Sequence, residues 1–411
     1  MSRLAAAILL GLCVAFRAAS AQDSSAIRNM VGTPPDSSAL RSPPAPRPPR
    51  TSVLFAFTGD INLGTLTIRA AIPPDSGREI FSRVDTLLRG DLVIGNFEGV
   101  LADTGVTQKC AGGPLRIDSI AALPPLPDSV IHPKPPTHPT RKRARHGRPK
   151  PRMCYAFATP TWLAPRLVEA GFTHLNLANN HANDMGPGAR SASDSILRGL
   201  NLRTYGPLGS ISIDTVQRGD SATIVGLIGF TTYPFAYDLL DIERSRAVID
   251  SIRPLVDLLV VTFHGGAEGD KAQHVPAEPE KLGKEERGDL RRWAHAVIDA
   301  GADLVVGHGP HVLRGIEFYR GHLVAYSLGN FATYRGFNLA GPAGLSTVLQ
   351  IQFGADGTFE SGRAVPLMQV AGSGPRPDPA RRSAALLRRL SRADFGPTAA
   401  RIDIDGVISP P

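Results

Sequence analysis

Side chains that can bind a metal or transfer a proton follow directly after several short apolar runs. Five such clusters occur in order along the chain: Gly59-Asp60-Ile61-Asn62, Gly95-Asn96-Phe97-Glu98-Gly99, Asn179-Asn180-His181-Ala182-Asn183-Asp184, His264-Gly265-Gly266-Ala267-Glu268 and Gly307-His308-Gly309-Pro310-His311. In open α/β sheets ligands bind at the carboxyl ends of the strands, because the connecting loops meet there. Imidazole and carboxylate together suit Zn, Mn or Fe. The clusters therefore predict a centre of divalent metal ions at one edge of a sheet.

Taken singly, each cluster has a simpler explanation. Asp60 alone reads best as a turn residue, and one histidine at a strand end is more often a hydrogen-bonded structural residue than a ligand. Glu98 follows a strand that should be buried, where an unpaired charge is costly, so it needs a partner. The occurrence of all five clusters in order along the chain favours a metal-binding or catalytic site. Two ions about 3.5–4 Å apart would hold both sides of a displacement at phosphorus or at a carbonyl.

The elements around these clusters alternate between strand and helix. Strands are predicted over 53–58, 91–95, 173–178, 223–230, 258–263 and 304–307, from their β-rich apolar composition. Helices are predicted over 160–170, with Thr159 as N-cap, and over 285–300. A hairpin arm is predicted over 322–328, further sheet over 347–353, and an amphipathic basic helix over 379–390. Packing of this helix on the core is favoured over docking on a membrane. Buried strands alternating with helices predict a layered α/β fold.

The first residues have the pattern of an export signal. Arg3 precedes an apolar run over 4–16, and Ala19-Ser20-Ala21 supplies small residues for cleavage before Gln22. We therefore expect residues 1–21 to be a signal peptide and the protein to reach the periplasm or the cell surface. An uncleaved membrane tether is the alternative, although the run is shorter than the about 20 residues that span a bilayer.

Two biased segments interrupt the globular pattern. Residues 22–51 are rich in Pro, Ser and Arg and predict a disordered linker. Residues 124–152 form a Pro-rich insert whose basic run explains much of the formal net charge of +8. This insert is either a solvated loop or a segment that attracts an anionic polymer or membrane surface. No aromatic residues are interleaved with the basic run, so we expect no nucleic-acid partner.

Two cysteines flank the insert once the signal peptide is removed. An even pair in an oxidising compartment favours a disulfide between Cys110 and Cys154, which would close the insert at its base. Two unpaired buried thiols are the alternative.

The five clusters together resemble, in order, the motif series of the CapA family of capsule and poly-γ-glutamate synthesis. Residues 324–331, Val-Ala-Tyr-Ser-Leu-Gly-Asn-Phe, resemble the family's closing motif. The family itself is similar to the calcineurin-like metallophosphoesterases. The resemblance runs from about residue 52 to about residue 368. It implies a layered α/β sandwich with central sheets flanked by helices over 52–370, followed by a C-terminal helix and tail over 371–411.

The resemblance also implies roles for individual residues. His181 would be the catalytic acid, and Asp184 would orient it. Asn62, Asn96 and Glu268 would surround and orient the ligands. Two departures leave the metal number open: Asn62 stands where a histidine is usual, and only Glu98 or Asn96 matches a bridging aspartate. The implied metal ligands are Asp60, Glu98, Asn180, His264, His308 and His311.

The function implied is that of an exported metal-dependent hydrolase in the handling of an anionic cell-surface polymer such as poly-γ-glutamate. A membrane-bound synthesis complex is a further implied partner. Two other functions stay open at this point. The protein could be a non-catalytic polymer-binding or export-complex subunit that has kept the fold, or a general secreted phosphoesterase.

Overall fold

In the computed structural model, which describes residues 48–110, 114–117 and 155–411, two β-sheets pack face to face and helices cover their outer faces. The predicted layered α/β sandwich is confirmed. The predicted signal peptide, almost all of the linker and the basic insert lie outside the described residues.

The sheets and small ribbons contain strands of two to eleven residues. In chain order these are β1 (Val53–Asn62), β2 (Leu92–Phe97), β3 (Val100–Leu101), β4 (Gly105–Thr107), β5 (Leu115–Ile117), β6 (Ala158–Thr159), β7 (His174–Asn176), β8 (Arg203–Tyr205), β9 (Ser212–Arg218), β10 (Ser221–Thr231), β11 (Tyr237–Asp238), β12 (Leu258–His264), β13 (Glu280–Leu282), β14 (Glu285–Gly288), β15 (Leu304–His308), β16 (Ile316–Tyr319), β17 (His322–Ala325), β18 (Asn330–Thr333), β19 (Leu345–Phe353), β20 (Phe359–Gln369), β21 (Pro375–Pro377), β22 (Arg401–Ile402) and β23 (Val407–Ser409).

Parallel strands form the centre of each sheet and end at the same edge. The first sheet runs β22-β23-β20-β19-β1-β2-β7-β8, with β1, β2, β7 and β8 parallel. The second runs β11-β10-β12-β15-β17-β16, with β10, β12, β15 and β17 parallel. The register places Asp60 beside Asn96 in the first sheet and His264 beside His308 in the second. Polar residues that are far apart in the sequence are thus neighbours at the strand ends.

The central core lies between the two sheets. Phe55 and Phe57 of β1 and Val260 of β12 belong to one buried cluster, and Phe353 meets Phe55 edge to face at 5.9 Å between ring centroids. Aromatic pairs in this geometry add about 0.5–1.5 kcal/mol beyond the burial of their area. Because alternate residues of β1 point into this core, its carboxyl end is held rigidly against the second sheet.

Five α-helices are described: α1 (Pro165–Glu169), α2 (Gly186–Gly199), α3 (Ile242–Ile252), α4 (Leu290–Asp299) and α5 (Arg382–Phe395). Helices α1 and α2 pack with the outer face of the first sheet, where Leu167 and Leu197 are fully buried. Helices α3 and α4 cover the second sheet through Ile249 and Trp293. Helix α5 buries Leu387 in the central core, as predicted for the basic helix.

The six predicted strands are all present, whereas the predicted helix over 285–300 is too long. Residues Glu285–Gly288 form β14, which pairs with β13, and the helix begins at Leu290. Asp289 caps it by accepting a hydrogen bond from the backbone N–H of Arg292. The hairpin arm predicted over 322–328 is β17, which pairs antiparallel with β16.

The helix predicted over 160–170 is broken into two pieces. A 3-10 turn spans Thr161–Leu163 and α1 follows, and no described side chain caps either of them. Thr159 belongs to β6 rather than to a helix cap. The intervening proline, Pro165, lacks the N–H that a continuous helix would need and fits instead at the first position of α1.

The ends of the described region are integrated into the sheets. Pro49, within the predicted linker, accepts a backbone hydrogen bond from Ala222 at 2.8 Å, and Arg50 pairs with Asp257 at 3.0 Å. At the other end β23 pairs with β20. Within the described residues, no helix combines the length and apolar character that crossing a membrane demands.

Gly59 sets the close approach of β1 to the loop before β18, one residue from Asp60. A Cβ atom at Gly59 would lie 1.9 Å from the carbonyl oxygen of Gly329. We predict that Gly59→Ala lowers the free energy of unfolding by about 1–3 kcal/mol, because the backbone must move to relieve this overlap. Gly188→Ala is the control, since no described atom lies within 4 Å of its added Cβ in α2. Urea unfolding curves measure both, and equal stability of the two variants would contradict this packing.

Candidate metal centre

Asp60 lies at the centre of the site and is completely buried. Its Oδ1 accepts a hydrogen bond from Asn96 Nδ2 at 2.9 Å, and its Oδ2 lies 2.9 Å from His311 Nδ1. His308 Nδ1 is 3.5 Å from Oδ1. Burial raises the pKa of Asp60, but the adjacent His308 and His311 outweigh burial and hold that pKa well below its usual range. The carboxylate is therefore ionised at neutral pH.

Glu98 immediately follows β2 and is also completely buried, yet neither carboxylate oxygen has a hydrogen-bond partner among the described residues. Its Oε1 lies 3.5 Å from His311 Nε2, 3.8 Å from His181 Nε2 and 3.9 Å from His264 Nε2. Burial raises the pKa of Glu98 well above its usual range. Three imidazole nitrogens from three separate segments of the chain thus surround one carboxylate oxygen.

Further buried atoms at these strand ends lack hydrogen-bond partners within the part of the chain that the structure describes. They are His264 Nε2, His308 Nδ1 and the side-chain oxygen of Asn180. Burial and the positive charge of Arg287 lower the pKa of His264 well below its usual value, so its ring is neutral. Buried polar atoms are almost always satisfied in folded proteins. The cluster has the donor types of a transition-metal site, and ligand atoms of Asp60, Glu98 and His311 lie within 4.8 Å of one another.

The loop after β15 has an unusual backbone that places His311 between the two carboxylates. His311 has a φ of 59°, a left-handed conformation that costs energy for a residue with a side chain. Gly309 has a φ of 115°, and a Cβ there would lie 2.5 Å from the carbonyl oxygen of Gly265. Position 309 therefore has no room for a larger side chain. Although burial lowers the pKa of His311, the charges of Glu98 and Asp60 outweigh it and raise that pKa to about 10.

His181 faces the same carboxylate from the other side of the site. Its Nδ1 lies 2.6 Å from Asp184 Oδ2, which leaves Nε2 directed toward Glu98. The Phe157 ring packs against the imidazole at 4.1 Å between centroids. Burial lowers the pKa of His181, while Asp184 acts in the opposite direction. The pair has the arrangement of an acid–base histidine oriented by a carboxylate.

Asn96 connects several residues of the site. Its Nδ2 donates to Asp60 and lies 3.3 Å from His264 Nδ1. Its side-chain oxygen accepts hydrogen bonds from Asn176 Nδ2 at 3.1 Å and Asn179 Nδ2 at 3.2 Å. This chain of amides fixes the orientation of Asp60.

Asn62 and Glu268, the other two residues predicted to orient the ligands, have different positions. Asn62 Nδ2 donates to the backbone oxygen of Glu98 at 3.0 Å, and its own oxygen accepts from the Gly64 N–H at 3.1 Å. It thus fixes the backbone of Glu98 rather than an imidazole. Glu268 Oε1 lies 3.1 Å from Arg287 Nη2, and its Oε2 lies 4.0 Å from His311 Nε2.

The structure thus gathers the predicted site residues from both sheets, while their roles as metal ligands stay predictions. Cys154 lies outside the described residues, so its bridge to Cys110 also stays a prediction. Three residues around the site were missed because nothing in their local sequence marks them: Asn176, Lys109 and Arg287. The Asn96 register could have pointed to Asn176, which is its partner on the neighbouring strand.

Comparison with known proteins agrees with the motif series. Residues 139–335 match the model of a family described as bacterial capsule synthesis protein PGA_cap. Over part of its length the chain is similar to two CapA proteins. It is 33% identical over 189 residues to the capsule biosynthesis protein CapA of Bacillus anthracis, covering 41% of this chain and 42% of that protein. It is 32% identical over 188 residues to the PGA biosynthesis protein CapA of Bacillus subtilis (strain 168), covering 42% and 45%.

This CapA-like chain therefore spans less than half the length of the curated relatives it matches. Among solved structures, it is similar to a hypothetical protein from Thermus thermophilus, with a TM-score of 0.39 and 14% identity, covering 77% of this chain and all of that one. It is also similar to a 5'-nucleotidase precursor from the same organism, with a TM-score of 0.36 and 15% identity, covering 83% and 59%. Such low scores carry no information about activity.

Because Glu98 has no described hydrogen-bond partner, its substitution should affect thermal stability less than that of a hydrogen-bonded buried carboxylate. We expect that Glu98→Gln does not lower the unfolding temperature in EDTA, since the buried carboxyl group makes no hydrogen bond to a described residue that the change could break. The same change should abolish any rise in unfolding temperature on adding Zn²⁺ or Mn²⁺.

Glu317→Gln is the matched control. Glu317 is equally buried but bonds His295, Tyr326 and Thr398 at 2.7, 2.6 and 3.0 Å. Its substitution should cost about 1–3 kcal/mol and keep the metal-induced rise. Thermal unfolding measures both variants. A Glu98→Gln protein that is destabilised as much as the control, or that keeps the rise, would contradict this account of the site.

Proposed function

We propose that this protein is an exported metal-dependent hydrolase that acts in capsule biosynthesis, in the handling of an anionic cell-surface polymer such as poly-γ-glutamate. The observation that carries the proposal is the buried Glu98 carboxylate, which has no hydrogen-bond partner in the described ranges and is surrounded by imidazole nitrogens of three histidines. The relationship to the CapA proteins supports the biological process.

The residues present fit a divalent cation, because carboxylates and imidazoles converge with atoms that no described residue bonds. The residues that would hold it are Asp60, Glu98, Asn180, His264, His308 and His311. When bound, such an ion supplies Lewis acidity toward a phosphoryl or carbonyl oxygen.

The protein's own contribution to the reaction is a positioned proton donor. Asp184 holds the Nδ1 proton of His181, so Nε2 is the atom that faces the substrate side of the site. When the ring carries a second proton at Nε2, with the resulting imidazolium stabilised by the Asp184 carboxylate, His181 would pass that proton to the leaving group. Arg287, fully buried and donating to the Gly266 carbonyl at 2.8 Å, holds the His264–Glu268 loop in place.

Export and polymer association complete the proposal. The N-terminal signal pattern would direct the protein to the periplasm or the cell surface, where a capsule polymer is handled, near a membrane-bound synthesis complex. The basic run between Arg141 and Arg152 would attract such a polymer. The same run favours a second candidate function, that of a polymer-binding subunit without catalysis, which requires the basic residues but not His181.

Metal content tests the proposed centre. We expect about two divalent ions per chain in the purified protein and loss of metal in His264→Ala and His308→Ala, since each variant removes an imidazole from the cluster. His274→Ala is the control, because His274 is 65% exposed and pairs with Asp394. Elemental analysis after purification with Zn and Mn supplied measures all four. A folded wild-type protein without metal would contradict the hydrolase.

Turnover tests the role of His181. We expect His181→Asn to lower hydrolysis of phosphate esters or γ-glutamyl polymers by roughly 10²–10⁴-fold at unchanged metal content, because the proton donor is removed. His274→Asn should keep the full rate. Wild-type turnover in His181→Asn would contradict the assigned role. A wild type that binds poly-γ-glutamate without hydrolysing either substrate class, and loses binding when residues 141–152 are replaced by neutral ones, would favour the second candidate function.

A further inference from the structure

The Asp184 carboxylate is held by residues from both sides of a long stretch of chain. Its Oδ2 accepts a hydrogen bond from the backbone N–H of Phe157 at 2.6 Å, and its Oδ1 pairs with Lys109 Nζ at 2.8 Å. Lys109 and Phe157 lie on either side of the segment that contains the basic insert. The third contact, at 2.6 Å, is His181 Nδ1. Both ends of this segment therefore meet at one carboxylate.

The ion pair between Lys109 and Asp184 differs from an ordinary surface ion pair. Asp184 is 1% exposed, so its charge is not screened by water, and an unpaired charge there would be costly. Lys109 Nζ also donates to the backbone oxygen of Asn180 at 3.0 Å and lies 3.3 Å from His181 Nδ1. An ammonium group has three N–H donors, and two of them are used by Asp184 Oδ1 and the Asn180 oxygen. Lys109 is thus engaged within the site rather than free to bind a substrate anion.

These contacts fix which face of His181 is available. Its Nδ1 lies 2.6 Å from a carboxylate oxygen and 3.3 Å from an ammonium group, so the shorter contact places the ring proton between Nδ1 and Asp184. Nε2 is then directed toward Glu98, 3.8 Å away. Phe157, whose N–H holds Asp184, also packs its ring on the imidazole. The plane and the proton position of His181 both depend on residues that flank the stretch containing the insert.

We propose that Lys109 is a positioning residue that holds the Asp184 carboxylate so that His181 presents Nε2 to the metal centre. Together with Phe157, it makes the orientation of this histidine depend on residues on both sides of the stretch that contains the insert. The role of Lys109 in orienting His181 is supported by these contacts alone, whereas its effect on catalysis rests on the proposed hydrolase function.

The experiment uses the full-length chain, loaded with Zn²⁺ and labelled with ¹⁵N-histidine, and compares Lys109→Met with Lys109→Arg. The His181 ring signals are assigned by their loss in His181→Asn. Lys281→Met is the matched control, because Lys281 is 58% exposed and pairs with Glu286 on the surface. Lys109→Gln replaces Lys109→Met if the latter does not fold. Zinc content and turnover are measured on the same samples.

In the wild type we expect a His181 ring protonated at Nδ1. Lys109→Met should shift it to a mixture of tautomers at unchanged zinc content, while Lys109→Arg and Lys281→Met should keep the wild-type signals. Where the wild type hydrolyses a substrate, Lys109→Met should lower kcat on the order of 10–100-fold without changing KM, and Lys109→Arg should recover most of it.

A wild-type tautomer in Lys109→Met would overturn the proposal. Equal disturbance in Lys109→Arg and Lys109→Met, with loss of zinc in both, would also overturn it, because Lys109 would then support the fold as a whole. If the wild type hydrolyses nothing, the hydrolase proposal fails, and the His181 ring signals still decide the role of Lys109.

Discussion

The structure depends on a carboxylate that the fold buries without a hydrogen bond from any described residue. Glu98 is completely enclosed at the carboxyl end of β2, and the side chains turned toward it are imidazoles. A protein selected only for stability would replace such a group with an apolar residue or supply it with donors. The arrangement is explained when the carboxylate and imidazoles together serve to bind a cation, since the ligand then supplies the missing interaction.

The arrangement of the two sheets brings the imidazoles to this buried carboxylate. Parallel strands end at one edge in each sheet, and the central aromatic core locks those edges together, so Asp60 from one sheet and His264 from the other face a common space. The loops then make the final adjustments. The left-handed backbone at His311 stores strain and places its ring between two carboxylates. The strain at His311 lowers the local stability of the backbone, while it keeps the imidazole between the carboxylates.

Much of this arrangement could be predicted from the sequence. The six main strands are short runs rich in apolar residues, and the histidines and carboxylates stand at or directly after their ends, so local patterns identify both the sheets and the residues at their ends. Local patterns do not show which distant residues contact each other in the folded protein. Lys109 and Arg287 are ordinary basic residues until the fold places them beside Asp184 and Glu268. Residues 285–288 look helical in sequence but pair with β13, because an available strand edge outweighs intrinsic preference.

Helices α2 and α3 were not predicted from the sequence. Helix α2 begins with glycine and proline and carries few apolar residues, so its sequence gives a weak periodic signal. It forms because its buried positions, such as Leu197, pack on the first sheet. The candidate metal centre is the opposite case. Its histidines and carboxylates are conspicuous in the sequence, and only the distances between them required the folded structure.

The most direct test of the central claim is anomalous X-ray diffraction from crystals grown with Mn²⁺ or Zn²⁺, measured at the absorption edge of the metal. The account predicts anomalous density between Glu98, His264 and His308, with ligand atoms about 2.0–2.2 Å from the ion. Density confined to surface carboxylates, with Glu98 still lacking a ligand, would contradict the claim that this buried carboxylate exists to bind a metal.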